Sequence, residues 1–500
     1  MTLTTLLTNI GIVAILFTLV VGLGFKKHKS WIMTLLQNFC GILFIFSGWV
    51  KAVDPLGTAY KMEQYFDEFY TTFSDTWMSF LAPIFPFLAS YAIWFSVFMI
   101  VFEIVLGLML VLGVRGKFTS WAFLLLVAFF TFLTGFTFLT GYVPAGTNFF
   151  EFGQWAEYNA NNMKVTDCGC FGDYIKLVPK TSFLKDVFLM IPALFFVFRY
   201  RDMHQLFNAP IRSALVGLTT LGILVYCLSN FVWDIPGNDF RPFKKGADVR
   251  TVREQEQEAM AAVEITDYIL ESKSTGEQIT VPFKEYLANY STKYNKTSYS
   301  VVEQVKGEPT IEPTKISEFE ITDLRGNDIS DDIIYEEGAH FLIVNYQLKG
   351  NPTRAKKMIK DTTYVVDTVS VFDIENKLEK TQIIRAVDKI KDKEIDVVNQ
   401  NFDKSYINTH IESLKPFTDA AKAAGMTVRM AVGKSDPEVI KEFDAETGLG
   451  LEYGMADDIL LKTIVRSNPG VVLWKDGKIL DKWHINKLPD YSKVAAMYNL

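Results

Sequence analysis

Two of the four cysteines in the chain fall in the run Asp167-Cys168-Gly169-Cys170-Phe171-Gly172-Asp173. One residue separates them, so their Cα atoms can be at most about 7 Å apart, the edge of disulfide range. A ring so small closes only if the chain bends, and Gly169 permits the bend because it lacks a Cβ and tolerates positive φ. A strained bridge of this kind is easily reduced, which suits an exchanging pair. Spacing alone leaves three readings open: an exchanging dithiol, a static local bridge, and two idle thiols. Zinc would need two further ligands, and the loop has no histidine.

Glu103 lies deep inside an apolar run, Phe102-Glu103-Ile104-Val105-Leu106-Gly107. A carboxylate there must be protonated, paired or turned toward a wet interior, so it is either a proton-handling or ligand-polarising group or a buried carboxyl bonded to a neighbouring helix. Gly107, one turn later, allows another helix to approach closely. Asp54-Pro55 reads as an N-cap followed by proline at the first helical position. In the helix it starts, Met62, Tyr65, Phe66, Phe69 and Phe73 recur at helical spacing. That describes an amphipathic element, either a lid over a lipid-soluble ligand or a connector anchored at the membrane interface.

The elements that hold these residues are membrane spans. A hydrophobic content of 49% with 14% aromatics exceeds that of an ordinary pair of soluble domains. The excess is confined to residues before Asp234, where apolar runs cover Leu6–Phe25, Trp31–Val50, Leu88–Val114, Phe118–Tyr142, Phe183–Phe198 and Ala214–Trp233. The first has no basic start, which makes it a poor signal peptide. The fifth is short and interrupted by Lys185, Asp186 and Pro192. Basic turns at Lys26, Lys27 and Lys29, at Arg115 and Lys117, and at Arg199, Arg201 and Arg212 fall on one side, predicting six spans with both termini outside the cytoplasm. That topology puts Cys168 and Cys170 in the extracytoplasmic space of a bacterium, where disulfides persist. Cys40 and Cys227, isolated in apolar helices, read as packing residues. The net charge of −7 and the lack of a basic stripe with interleaved aromatics exclude nucleic acid as a partner.

Ser47-Gly48, Lys51, Asp54-Pro55-Leu56-Gly57, Glu103 with Gly107, Cys168-Gly169-Cys170-Phe171-Gly172 and Ser182-Phe183-Leu184-Lys185-Asp186 together resemble the DoxX and MauE family of bacterial membrane proteins. The resemblance runs from about Trp31 to Phe198. It implies a four-helix core and redox traffic between the membrane, with quinone as a possible cofactor, and extracytoplasmic thiols. Under it Cys168 and Cys170 are the redox pair, and Lys51, Asp54 and Glu103 are family-pattern positions near a cofactor. The expected organisation is a first span and turn over 1–30, the DoxX-like bundle over 31–200, and a sixth span over 201–233.

After Asp234 the chain is charged and has no run long enough to cross a bilayer. Residues 234–316 read as a linker and a small α/β region. Residues 317–500 show a strand at His340–Gln347, a helix at Ile411–Ala424, a strand at Met426–Val432, a helix at Pro437–Phe443 and two strands joined by Lys475-Asp476-Gly477-Lys478. With Ser467-Asn468-Pro469 just before that hairpin, the pattern resembles a thioredoxin-like domain. The resemblance implies that Pro469 is the family's cis-proline and that Asn468 and Pro469 face a partner peptide. The family's Cys-x-x-Cys is missing, because no cysteine follows Cys227. The Lys- and Asp-rich stretch from Lys360 to Thr409 reads as an insertion, and His340, His410 and His484 as structural.

The fold class expected is therefore a membrane α-helical bundle plus a soluble α/β thioredoxin-like domain. Two functions fit it. One is an inner-membrane thiol-disulfide redox protein whose periplasmic domain docks clients; the other is a non-enzymatic, membrane-anchored subunit of a cell-envelope complex.

Overall fold

The computed structural model describes residues 2–163, 165, 169–307, 309–373 and 378–500, the side chains of 352–399 excepted. Two compact units result, one of residues 1–317, 463–470 and 478–487, the other of residues 318–462, 471–477 and 488–500.

In the first unit six helices are long and apolar enough to span a membrane. They are α1 (Leu3–Leu19, extended by a wider turn to Gly24), α2 (Trp31–Val53), α5 (Ala92–Leu112), α6 (Gly116–Thr140), α7 (Pro179–Arg199) and α8 (Ala209–Leu228). Between α2 and α5 lie α3 (Pro55–Ser74) and α4 (Ile84–Ser90). Local chemistry sets the boundaries. Ser30 caps α2 by accepting from the Met33 amide, Asn208 caps α8 through Ile211, and Gly113 ends α5 in the left-handed region at φ 68°. Asp54 closes α2 and caps α3, its carboxylate accepting from the Gly57 amide at 3.2 Å with Pro55 at the first position. That is the start signal expected from Asp54-Pro55.

The third span begins at Ala92 rather than Leu88, because the chain turns at Tyr91 and residues 84–90 form the separate helix α4. The fifth is a full-length helix. Lys185 and Asp186 do not shorten it, since they neutralise each other inside the bundle, and Pro192 is accommodated within the helix. Phe44, Phe123 and Phe196, from α2, α6 and α7, pack in series as tilted pairs with ring centroids 4.7 and 5.6 Å apart and fill the centre. Met62, Tyr65, Phe66 and Phe69 bury one face of α3, as their spacing predicts.

The same unit continues with α9 (Val249–Ala261), strands β1 (Ile265–Ser272) and β2 (Gln278–Pro282), α10 (Phe283–Asn289) and β3 (Tyr299–Lys306). The three strands form an antiparallel sheet in the order β2-β1-β3, over Leu270, Val281 and a group of tyrosines.

The α/β region that follows contains β4 (Ile321–Asp323), α11 (Ser330–Ile334), β5 (Ala339–Asn345), β6 (Gly350–Asp373), β7 (Leu378–Phe402), α12 (Lys404–Thr409) and α13 (Lys415–Ala423). Then come β8 (Thr427–Gly433), α14 (Pro437–Thr447), β9 (Glu452–Ala456), α15 (Asp458–Ile464), β10 (Gly470–Lys475), β11 (Lys478–His484) and α16 (Tyr491–Tyr498). Six strands form one sheet in the order β11-β10-β5-β8-β9-β4, with β5, β8 and β9 parallel and β4 antiparallel to β9. Asp476 and Gly477 both have positive φ, 51° and 78°, which makes the β10-β11 turn the tight hairpin that Asp-Gly signals. The expected insertion lies largely in an antiparallel ribbon, β6 against β7, that starts ten residues earlier than the charge pattern suggested, at Gly350.

His410 is structural, as read. Its Nδ1 donates to the Tyr406 carbonyl at 2.8 Å, and its Nε2 accepts from Asn345 Nδ2 at 3.3 Å, while the Asn345 Oδ1 accepts from the Tyr406 hydroxyl. A proton on Nε2 would face another donor. Burial holds the imidazole down to about 4, against the upward pull of its bond to the Tyr406 carbonyl. Because the folded value lies below the unfolded one, its contribution is complete above about pH 6.5 and is lost as pH falls toward 4, by about 3 kcal/mol. Hydrogen exchange of β5 and β8 amides in the full chain should accelerate through that window. In His410→Gln the acid limb should flatten; an unchanged limb contradicts the assignment.

Candidate functional site

The chemical residues converge where α2, α5, α6 and α7 meet. On α2, Ser47 and Lys51 are four residues apart and share a face. Lys51 Nζ lies 2.7 Å from Glu103 Oε2 on α5 and 4.8 Å from the Phe130 ring centroid on α6. Both partners are almost wholly buried, Lys51 at 7% exposure and Glu103 at 2%. A second pair sits on α7, where Lys185 binds Asp186 and the other Asp186 oxygen accepts from Thr134 Oγ1 at 3.0 Å. Burying two ion pairs is costly unless each charge is matched and further hydrogen-bonded.

The thiol loop reaches this place. Ser47 Oγ donates to the Cys170 carbonyl at 2.9 Å, and Lys185 Nζ stands 5.8 Å from the centroid of Phe171, whose ring is buried beside Phe46. Gly169 and Gly172 adopt φ 59° and 51°, so the bend expected at Gly169 is present and is followed by a second. Cys170 is partly buried and carries a free thiol. Burial pushes that thiol up; Lys185 and Lys51 pull it down, while Asp186 and Glu103 add to the rise. Cys168 lies outside the described residues. Cys40 and Cys227 are buried in helix contacts, in keeping with packing roles.

Of the three residues expected near a cofactor, Lys51 and Glu103 come together and Asp54 goes elsewhere. Arg466 grips the Asp54 carboxylate through both Nε and Nη2, at 2.7–3.0 Å, and lies 5.1 Å from the Tyr60 ring centroid. Burial pushes Asp54 up, but Arg466 and Arg241 outweigh it and hold the carboxyl below its ordinary value. Arg466 directly precedes Ser467, Asn468 and Pro469, and the Asn468–Pro469 peptide is cis. Asp239 is shared by Arg241 and Lys482 at 2.7 and 2.6 Å.

Sequence reasoning missed Lys185 and Asp186 as site residues by treating them as defects in a span. The available signal was that ionisable residues at membrane depth are themselves functional markers. Nothing local announces Arg466, which lies 412 residues from its partner.

Along α5 and α6 runs an apolar groove of ≈ 530 Å³, lined by Phe95, Met99, Phe102, Trp121, Leu125 and Phe129 among others. Phe102 adjoins Glu103 in sequence and Phe129 adjoins Phe130. No protein-family model, curated protein or solved structure matches the chain.

Proposed function

We propose that the chain is a DoxX- and MauE-like membrane protein that exchanges electrons between extracytoplasmic thiols and the membrane through Cys168 and Cys170. In this reading the bundle sits in a bacterial inner membrane with the basic turns inside and the α/β region in the periplasm. That region acts as a thioredoxin-like docking module, with Asn468 and Pro469 toward a client peptide. A quinone is the electron carrier on the membrane side, its apolar tail suited to the groove along α5 and α6.

The observation that carries the proposal is the position of Cys170 beside two buried lysine–carboxylate pairs. Thiol exchange proceeds through a thiolate, and matched charges that can be redistributed around a sulfur are what such a step requires. The decisive measurement is the redox state of Cys168 and Cys170 in cells, read by thiol trapping with and without respiration. The expected result is a shift with the poise of the quinone pool, and clients of altered redox state when both cysteines are serine. A pair that stays in one state under both conditions, with clients unchanged in the double serine variant, would leave a static element.

The absence of cysteine from the α/β region favours a second reading, a non-enzymatic subunit of an envelope complex. Copurification with a large assembly that still forms and functions in the double serine variant would select it.

A further inference from the structure

Resting on the redox reading, we propose that Lys185 is the positioning residue that stabilises the thiolate of Cys170, and that Asp186 is its counter-ion in the resting state. Lys185 is held by Asp186 on one side and stands against the ring of Phe171, the neighbour of Cys170, on the other. Its ammonium therefore lies between the Asp186 carboxylate and the loop that carries the Cys170 thiol. Asp186 is fixed in turn by Thr134, so the carboxylate stays in place while the flexible lysine stem reorients. Ser47 fixes the loop by its bond to the Cys170 carbonyl. Ser182, one turn before Asp186 on α7, is fully buried, and its hydroxyl has no partner among the described residues.

The step involves no redox reagent. The Cys170 S–H bond breaks, its electron pair stays on sulfur, and the proton leaves to solvent on the open side of the partly exposed loop. Lys185 then divides its charge between Asp186 and the thiolate. The charged groups facing this sulfur are Lys185, Asp186, Lys51 and Glu103, from three different helices. Lys51 is committed to Glu103 at 2.7 Å, so it contributes less than Lys185.

The experiment is the pH dependence of iodoacetamide alkylation at Cys170, followed by mass spectrometry on the full chain in lipid nanodiscs with Cys168→Ser. Lys185→Met should move the reactivity midpoint up, with alkylation at pH 8 slowed about tenfold. Asp186→Asn, which frees the ammonium for sulfur, should move it down. Lys185→Arg should stay near the parent, and Lys51→Met should move it up by less than Lys185→Met. Opposite displacements in the lysine and aspartate variants cannot come from loosened packing, which would move both the same way. Shifts in one direction, or none, overturn the proposal; if Lys185→Met does not fold, the direction of the Asp186→Asn shift decides alone. The readout needs no client and no electron acceptor, so it can fail while the trapping experiment succeeds, and the reverse.

Discussion

Lys51→Met should destabilise the helical unit by about 3–5 kcal/mol, the cost of leaving a buried carboxylate without its partner. Lys51 Nζ and Glu103 Oε2 are 2.7 Å apart and nearly inaccessible, so neither water nor another side chain can take over the vacated role. Glu103→Gln alone should cost a comparable amount by stranding the ammonium. Combining Lys51→Met with Glu103→Gln should recover much of the loss, because neither change then leaves a buried charge without its counter-ion. Thermal or denaturant unfolding of the purified protein in detergent provides the measurement. If the double variant is as unstable as the sum of the singles, the residues do not act as a pair.

How much of this could be read from the residues depends on whether the signal was local. The six spans follow from apolar run length, and the caps at Asp54 and the turn at Asp476-Gly477 follow from side-chain chemistry within four residues, so all were legible. Strands β4 and β9 were not anticipated, because Ile321–Asp323 is too short and Glu452–Ala456, with a glycine at its centre, too weakly patterned to announce a strand. The candidate site was half legible. Glu103 stood out as a charge at membrane depth, yet its partner Lys51 lay 52 residues away at the end of another span, where a lysine ordinarily marks an interface. Only the packing of α2 on α5 brings them together. Asp54 was legible in its capping role, while its grouping with Glu103 came from the family pattern. Its ion pair with Arg466, from a distant part of the chain, was not legible.

That packing of α2 on α5 rests on glycine, and Gly107→Leu should be among the most damaging single changes in the bundle. A Cβ on Gly107 would lie 2.7 Å from the Gly41 carbonyl oxygen and 3.0 Å from the Ile45 amide nitrogen, and one on Gly41 would lie 2.7 Å from the Gly107 carbonyl. These are backbone atoms, so no side-chain rotation relieves the contact and the helices must separate. Even Gly107→Ala should cost about 1–3 kcal/mol, with Leu beyond that range. The separation has a chemical consequence, because Glu103 sits one turn from Gly107 on the same helix and a shift of α5 lengthens its bond to Lys51. Gly107→Ala should therefore be less than additive with Lys51→Met, since the first change already weakens what the second removes. Gly217 and Gly222 on α8 have no atom within 4 Å of an added Cβ, so alanine there should be neutral or slightly stabilising through helix propensity. Unfolding midpoints in one detergent would compare all four variants. Equal losses at Gly107 and Gly217 would show that close approach of α2 and α5 is not what holds the pair in place.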